Sequence, residues 1–418
     1  MKINFEDALS QKEIEYVSEI RKIAESHALK TFLIGGMVRD IILGKKNHDI
    51  DITIDGDAML VAEEFSNSFQ GKWLKYEQFL TATVFIDGYS IDFASLRKEI
   101  YESPGALPIV SRGSFETEIL RRDFTINTLA LSLHKDSLGE LIDLRNGLED
   151  LCKGCIRVLH KNSFLDDPTR IFRAARFVGR FGYRLDNLSS KLLKTAVFRD
   201  VFKSISAQRI SNELRIILRE ENVVEILNFM GKYKIFEKIS KDIHYNKKMR
   251  WMIRKLTTIK NLENRELYLY LVLLYQTKEE NLLEEINVFC PEKKLRAECL
   301  KLVYIKKDFS DLNEKYNSLS NYEIYQTLML YSRESILVLK ASGDFKNAVH
   351  ICRRYFLAQK QSKIFTTGRE LKEFDIYPGK IFRVILEKIR EKKINGEIKG
   401  RKDEILYLKK EIKNLAKD

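Results

Sequence analysis

Cysteine is scarce, with five among 418 residues, too few for a disulfide framework in a chain of this length. Cys152 and Cys155 form one CxxC, but no second ligand pair follows at zinc-site spacing, so we expect structural or incidental thiols. No apolar run approaches the roughly 20 residues that cross a bilayer, and the N-terminus lacks the apolar segment of a secretory signal. These absences predict a cytoplasmic protein with no membrane partner.

Glycine and proline are rare in the second half of the chain. Thirteen of the 19 glycines lie at or before Gly182, and Pro291 is the single proline between Pro168 and Pro378. Long stretches without either residue permit helices, and apolar spacing over residues 216–227 and 267–274 agrees. We predict an α+β fold: a mixed sheet with helices over 1–155, a helical neck over 156–220, and a helical body and tail over 221–418.

Positive charge is in excess, with 73 Lys+Arg against 60 Asp+Glu and a net charge of +13. Such an excess favours a polyanionic partner, because basic side chains that neutralise phosphates release counterions. Many basic proteins bind no nucleic acid, so the excess needs a motif to explain it. The sequence does not reveal the oligomeric state.

The first part of the chain reads as alternating strands and helices. Residues 11–27 and 37–43 are typical of helices, and residues 31–34, 49–54, 82–86 and 90–94 of strands. Two prolines and two glycines predict a loop over 101–114. The charged start and apolar continuation of residues 121–133 predict a helix.

Paired carboxylates mark one predicted strand. Asp49 and Asp51 are two residues apart, so on a strand both point from the same face, and adjacent carboxylates repel unless a cation lies between them. Oxygen ligands with room for water and phosphate suit Mg²⁺. Asp92, on a later alternating strand, is a candidate third catalytic carboxylate, although it could equally be a solvated strand residue.

A candidate phosphate cradle precedes that strand. Gly35 and Gly36 stand between a strand and a helix, where glycine lets the backbone approach a phosphate and free N–H groups attract anions. Arg39 in the first turn opposes the helix dipole, which suggests that it serves a bound anion. Together the cradle and the metal strand outline a nucleotidyl-transfer site.

Two further basic motifs follow. Arg122 lies in RRDFTIN, where two arginines beside an aspartate can clamp a triphosphate. In DDPTRIFRAARF, proline marks a helix start, and we expect Asp166, Arg170 and Arg173 to share one helical face. A carboxylate accepting from an exocyclic amine, beside an arginine donating to a ring nitrogen, would select cytosine and adenine together. A solvated helix face is the alternative.

GGMVRD, DID, RRDFTIN and DDPTRIFRAARF, in this order and spacing, resemble the class II tRNA nucleotidyltransferase and poly(A) polymerase family of the DNA polymerase β superfamily. The resemblance implies a polymerase-β-like head and two Mg²⁺-binding aspartates, Asp49 and Asp51, with Asp92 supporting the site. Asp166 stands where the family often has Glu in an EDxxR motif that pairs with the incoming base. The implied nucleotide contacts are Gly36, Arg39, Arg122, Asp167, Arg170, Arg173 and Arg176.

The implied reaction is attack of a tRNA 3′-hydroxyl on the α-phosphate of CTP or ATP, with pyrophosphate leaving and no template. We expect complete CCA addition; addition of A alone or of CC alone and poly(A) synthesis remain open. The loop over 98–120 is not obviously shortened as in many CC-adding members. Residues 377–380 and 395–397 resemble the family's tail motifs. The alternative from another class is a non-catalytic RNA-binding protein, which the two intact aspartates oppose.

Overall fold

The computed structural model describes residues 1–45, 50–255, 258–259, 262–290, 292–372 and 379–415. Asp49 and the Tyr377-Pro378 part of the tail motif therefore lie outside the described residues. The chain forms two compact units, Met1–Ile239 and Ser240–Asp418. No helix among the described residues is long and apolar enough to span a membrane.

A mixed sheet forms the centre of the first unit. Its strand order is β3-β4-β5-β2-β1-β8-β9, and every pairing is antiparallel except that of β2 with β5. Two small pairs, β6-β7 and β10-β11, lie outside this sheet. The strands are β1 Lys30–Ile34, β2 Ile50–Asp55, β3 Lys72–Tyr76, β4 Thr81–Ile86, β5 Tyr89–Ser95, β6 Arg97–Ile100, β7 Ile109–Arg112, β8 Ala130–Ser132, β9 Leu141–Ile142, β10 Cys155–Ile156 and β11 Arg184–Leu185.

Along β2, side chains that point into the core alternate with side chains that point to the opposite face of the sheet. Ile50, Ile52 and Ile54 are buried, whereas Asp51 between them is half-buried. Because successive side chains of a strand point to opposite faces, Asp51 projects away from the isoleucines. The parallel register pairs Asp51 with Asp92 on β5, so the two carboxylates share a face.

Helices cover the sheet and continue after it. Helix α1 begins with a capping box in which Ser10 and Glu13 bond reciprocally. The first unit's helices are α1 Gln11–Ser26, α2 Gly36–Ile42, α3 Ala58–Ser68, α4 Phe115–Leu120, α5 Gly147–Cys152, α6 Ser163–Asp166, α7 Thr169–Phe181, α8 Asn187–Phe198, α9 Ala207–Arg219, α10 Val223–Lys232 and α11 Phe236–Ile239.

Helix α7 carries the predicted base-reading motif. It begins after Pro168 and ends at Gly182, whose φ of +70° suits glycine. Ile171, Phe172 and Ala175 are fully buried on its apolar side. Gly179 lets α10 approach closely, since a Cβ there would lie 2.2 Å from Cγ1 of Ile226. This packing fixes the opposite, arginine-rich side of α7.

The second unit is helical over its described residues. Helix α13 is among its most buried elements, since every residue from Leu267 to Leu274 is buried. The helices are α12 Lys247–Lys255, α13 Arg265–Leu274, α14 Glu279–Phe289, α15 Lys293–Leu300, α16 Leu302–Glu314, α17 Asn321–Leu328, α18 Arg333–Ser342, α19 Ala348–Gln361, α20 Gly368–Lys372, α21 Lys380–Ile394 and α22 Arg401–Leu415.

The predicted class, a mixed-sheet α+β head followed by helices, is confirmed, but two local predictions are wrong. Residues 121–133 are not a helix: a 3₁₀ turn over Thr125–Asn127 leads into β8, which pairs with β1. A short apolar run does not distinguish a buried strand from a helix, and here pairing with β1 makes the segment a strand. Residues 101–114 are not entirely loop, because β7 pairs with β6.

Candidate active site

A cavity of about 570 Å³ in the first unit collects most of the predicted site residues. Those that line it are Gly36, Arg39, Asp51, Arg122, Asp167, Arg170, Arg173 and Arg176. Gly35, Asp92 and Asp166 are outside its lining, and Asp49 is outside the described residues. Most of the described lining residues are charged: seven are arginines and six are carboxylates. Such a cavity suits a polyanion, with the carboxylates orienting the arginines.

One wall of the cavity is the carboxylate edge of the sheet. Asp51 lines the cavity, and its strand partner Asp92 is exposed and accepts a hydrogen bond from Oγ1 of Thr83 at 2.6 Å. Asp92 thus stands beside the cavity and not among the residues that line it. The structure describes one of the two predicted metal aspartates, Asp51.

The glycine turn lies under an arginine. Gly35 has a φ of +86°, and a Cβ at this position would lie 2.3 Å from Nη1 of Arg122. Only glycine meets both requirements, because other residues rarely adopt this backbone conformation. The Gly35 N–H donates to the Leu129 carbonyl, which ties the turn to the segment before β8.

Arg39 has protein partners as well as a place in the cavity. Its guanidinium donates to both carboxylate oxygens of Asp40 and to Oδ1 of Asn127, the latter at 2.6 Å. It also lies over the rings of Phe177 and Phe181, at 5.2 and 4.9 Å. Arg39 lies in the last turn of the seven-residue helix α2, where a positive charge is favourable, so the expected first-turn position is wrong and anion binding is not needed to explain its placement.

A buried glutamate holds the two arginines of the RRDFTIN motif. Glu118 is fully buried and pairs with Arg121 at 2.5 Å and with Arg122 at 2.9 Å. Burial lowers the pKa of Arg122, and Glu118 offsets this only in part. Nε of Arg122 is buried and has no hydrogen-bond partner among the described residues. The motif thus presents a fixed guanidinium with donor capacity to spare.

Asp123 anchors Arg173 at the cavity. Its carboxylate accepts from Nε of Arg173 at 2.7 Å, from Nδ2 of Asn127 at 2.8 Å and from the Phe124 N–H at 2.9 Å. Burial alone would raise the pKa of Asp123, but Arg173 and Asn127 outweigh it and the pKa is lowered. The carboxylate is therefore ionised at neutral pH and fixes the direction of Arg173.

The expected helical face of Asp166, Arg170 and Arg173 is not present. Asp166 ends the separate helix α6, whereas Arg170 and Arg173 lie on α7. Pro168 separates the two helices, so the spacing of a continuous helix does not apply to Asp166. The Asp166 carboxylate faces His160, with 3.7 Å between Oδ2 and Nδ1. The carboxylate that lines the cavity on this side is that of Asp167.

Asp167 is held through one of its two oxygens. Oδ1 accepts from Nη2 of Arg209 at 2.8 Å and from both the N–H and the hydroxyl of Thr169. No hydrogen bond to Oδ2 occurs within the part of the chain that the structure describes. Arg170 donates to Oγ of Ser163 at 2.7 Å and to the Arg121 carbonyl at 2.6 Å. A fixed carboxylate with a vacant oxygen therefore lies near a fixed guanidinium.

Sequence reasoning missed several polar residues of this region, among them Glu99, Tyr101, Arg209 and Glu213. Glu99 and Tyr101 line the cavity from β6 and the residue after it, and their side chains bond at 2.9 Å. Arg209, on α9, donates to the Gly105 carbonyl as well as to Asp167. Glu213, one turn later, lines the cavity, and burial raises its pKa. Their spacing carries no motif; only the amphipathic pattern of α9 indicated that one face of it packs inward.

Known protein families and curated proteins similar to this chain include tRNA nucleotidyltransferases. The Poly A polymerase head domain family matches residues 31–157. Three curated relatives are named A-adding tRNA nucleotidyltransferase. The Aquifex aeolicus protein is 33% identical over 77% of this chain and 40% of its own length, and the Geobacter sulfurreducens protein is 31% identical over 95% and 47%. The chain thus spans less than half of these two proteins. The Halalkalibacterium halodurans protein is 26% identical over 96% of this chain and 92% of its own length.

Solved structures resemble the chain over nearly its whole length. An apo CCA-adding enzyme has a TM-score of 0.81 and 30% identity, covering 96% of both chains. A Thermotoga maritima CCA-adding enzyme complexed with tRNA has a TM-score of 0.80 and 28% identity, covering 97% of both. The resemblance therefore extends well beyond the head.

Proposed function

We propose that this chain, which belongs to the class II tRNA nucleotidyltransferase and poly(A) polymerase family, transfers nucleotides from ATP or CTP to the 3′ end of tRNA and releases pyrophosphate. The observation that carries the proposal is the cavity in which Asp51, the arginines and the Asp167–Arg170 pair converge. Template-free nucleotidyl transfer needs three kinds of group: a carboxylate that can hold a metal, arginines that can bind the triphosphate, and a pair of polar groups that can recognise the base.

Asp167 and Arg170 are proposed to read the base. Oδ2 of Asp167 would accept from an exocyclic amine, and an unused N–H of Arg170 would donate to the neighbouring ring nitrogen. Adenine and cytosine present this pair of groups, whereas guanine and uracil present a carbonyl and an N–H instead. Since Thr169 and Arg209 fix the other oxygen of Asp167, the carboxylate is directed before the nucleotide binds.

The arginine wall is proposed to bind the triphosphate. Arg122 and Arg173 are each fixed by a buried carboxylate, Glu118 and Asp123 respectively. Fixed guanidinium groups bind phosphate without losing further side-chain freedom. Removing either carboxylate would therefore weaken nucleotide binding indirectly, by releasing its arginine.

Asp49 and Asp51 are proposed to hold Mg²⁺. Asp51, the described member of the pair, fits this role because it lines the cavity beside Asp92, and two neighbouring carboxylates are a donor set that a divalent cation stabilises. When bound, Mg²⁺ would lower the pKa of the attacking hydroxyl and stabilise charge on the triphosphate.

The second, helical unit is proposed to hold the tRNA acceptor arm through its phosphates, without reading sequence.

Which nucleotides are added has two candidate answers. The three relatives described above carry the name A-adding, and one of them is matched over 92% of its length, which supports addition of the terminal A alone. Complete CCA addition, the prediction from the sequence, is the second candidate, supported by likeness to CCA-adding enzyme structures over whole chains.

Incorporation by the purified protein with Mg²⁺ tests both candidates. One tRNA would end at the discriminator base and another in CC, each with CTP, ATP or both. One A added to the CC end, and nothing to the shorter tRNA, supports the A-adding enzyme. Three additions to the shorter tRNA establish complete CCA addition, and two C additions alone identify a CC-adding enzyme. Long A tracts would identify a poly(A) polymerase, and no addition to any substrate would contradict the proposal.

A further inference from the structure

A second cavity, of about 630 Å³, lies in the helical unit, far along the chain from the residues of the active site. Three helices contribute to its described lining. Trp251 and Lys255 share one face of α12, Arg333, Leu337 and Lys340 share one face of α18, and Phe356 comes from α19. The volume is in the range of pockets that hold small organic ligands.

Two aromatic rings of this cavity lie against cations. Nζ of Lys255 lies 4.0 Å from the centroid of Trp251, and the guanidinium carbon of Arg333 lies 4.8 Å from that of Phe356. Trp251, one of the two tryptophans in the chain, is 54% exposed. A large ring left half in water has apolar surface that a flat ligand could cover.

The positive charge of the cavity is uncompensated. Lys255, Arg333 and Lys340 form no ion pair within the part of the chain that the structure describes, and the described lining contains no carboxylate. The contrast with the active-site cavity is direct, because six carboxylates accompany its arginines. Three cations around one cavity repel each other, so an anion bound among them would be stabilised.

Arg333 adds a second, independent observation. It is the first residue of α18, where a positive charge opposes the helix dipole. Its Nε is buried and has no hydrogen-bond partner in the described structure. A buried N–H without a partner carries a free-energy cost, so Arg333, which lines the cavity, keeps unused donor capacity.

We propose that this cavity binds a nucleotide, with the base against Trp251 or Phe356 and the phosphate at Arg333 and Lys340. Aromatic rings with interleaved cations bind unstacked bases in this way, without strong sequence preference. The nucleotide could come from an RNA chain or from free nucleotide in solution, and the two sources share this chemistry. The proposal does not rest on the proposed catalytic function, because a nucleotide bound here need not react.

Tryptophan fluorescence of the full chain tests the proposal. In a Trp73→Phe variant, Trp251 is the sole tryptophan, and no tryptophan lines the described part of the active-site cavity, so the signal reports the second cavity. We expect AMP to quench Trp251 saturably and adenosine to bind at least about tenfold more weakly, since it lacks the phosphate. Quenching by tRNA without quenching by AMP would assign the source to RNA. Quenching by neither, or equal binding of adenosine and AMP, would overturn the proposal.

Matched variants separate this cavity from the rest of the molecule. In the Trp73→Phe background, Arg333→Met and Lys340→Ala should each weaken the affinity for AMP, measured by quenching, about tenfold. Lys307→Ala removes an exposed lysine outside the cavity lining and should leave quenching unchanged. Arg170→Ala changes the active-site cavity and should also leave Trp251 quenching unchanged. A failure of the proposed catalytic function would therefore be distinguishable from a failure of nucleotide binding at the second cavity. Unaltered quenching in both cavity variants would overturn the assignment, provided that circular dichroism shows them folded.

Discussion

Replacing Arg173 by alanine tests how the active-site cavity is held together. In the intact protein, the Arg173 guanidinium lies 2.7 Å from a carboxylate oxygen of Asp123. The Asp123 residue is only 7% exposed, so removal of its cationic partner leaves a largely buried carboxylate without an ion pair. The Asn127 amide and the Phe124 N–H would still donate to it.

The expected loss of stability follows from this geometry. Breaking a fully buried ion pair costs about 3–5 kcal/mol. The Arg173 side chain is 38% exposed, so solvent already screens part of the interaction, and two hydrogen bonds to Asp123 survive. We therefore expect the free energy of unfolding to fall by about 2 kcal/mol at neutral pH. Arg180→Ala leaves Glu220 paired with its second arginine, Arg176, and should cost about 0–1 kcal/mol.

The loss should depend on pH with a definite sign. The pKa of Asp123 is lowered in the intact protein, so its stabilisation is present above the unfolded value of about 3.9 and is lost as the pH falls through the folded value. Without Arg173, the pKa of Asp123 should be higher than in the intact protein, because burial is then opposed mainly by Asn127 and Arg170. The variant therefore lacks part of the stabilisation that the ionised carboxylate provides at neutral pH. The difference between the two proteins should shrink as the pH falls towards the unfolded value of about 3.9 and below it.

Urea unfolding in a Trp251→Phe background measures this difference. Trp73, on β3 in the first unit, is then the only tryptophan, so its fluorescence follows the unit that contains Asp123. Intact and Arg173→Ala proteins would be compared at pH values of about 7 and about 4. A loss below about 0.5 kcal/mol at neutral pH, or a loss that does not change with pH, would refute the reasoning.

Three other substitutions test the site. Gly35→Ala should lower stability by about 1–2 kcal/mol and raise the KM for ATP, because its φ is +86° and its Cβ would displace the Arg122 guanidinium; an unchanged urea midpoint and KM would contradict this. Arg209→Ala should reduce the preference for ATP over GTP about tenfold, since Asp167 loses a charge-assisted hydrogen bond; Arg209→Lys should restore part of it. Arg170→Ala should blur the preference for A and C over G and U in single-nucleotide incorporation, and unchanged selection would remove its proposed role.

Local conformational requirements made part of the site predictable from the sequence. The Gly35-Gly36 turn needs a positive φ that glycine supplies, and the strand with Asp51 alternates with buried isoleucines. Both features depend on neighbouring residues along the chain. For that reason the strand, the turn and the helix after it were placed within about two residues.

Features that depend on distant residues were not predictable. A helical projection assigned Asp166 to the face of Arg170, but Pro168 starts a new helix and brings Asp167 to the cavity instead. Arg209 reaches that carboxylate from a helix about 40 residues later, a contact that only the tertiary fold creates. The strand over Ala130–Ser132 likewise exists because β1 offers it a partner.

Incorporation of labelled ATP into a tRNA that ends in CC tests the central claim most directly. Asp51→Asn should abolish incorporation at saturating Mg²⁺ while tRNA binding is retained, because the cavity loses a carboxylate at its proposed metal-binding edge. Asp55→Asn, an exposed position at the end of the same strand, should react like the intact protein. Incorporation by intact protein and Asp55→Asn but not by Asp51→Asn is the predicted result. Equal incorporation by Asp51→Asn, or none by the intact protein, would contradict the account.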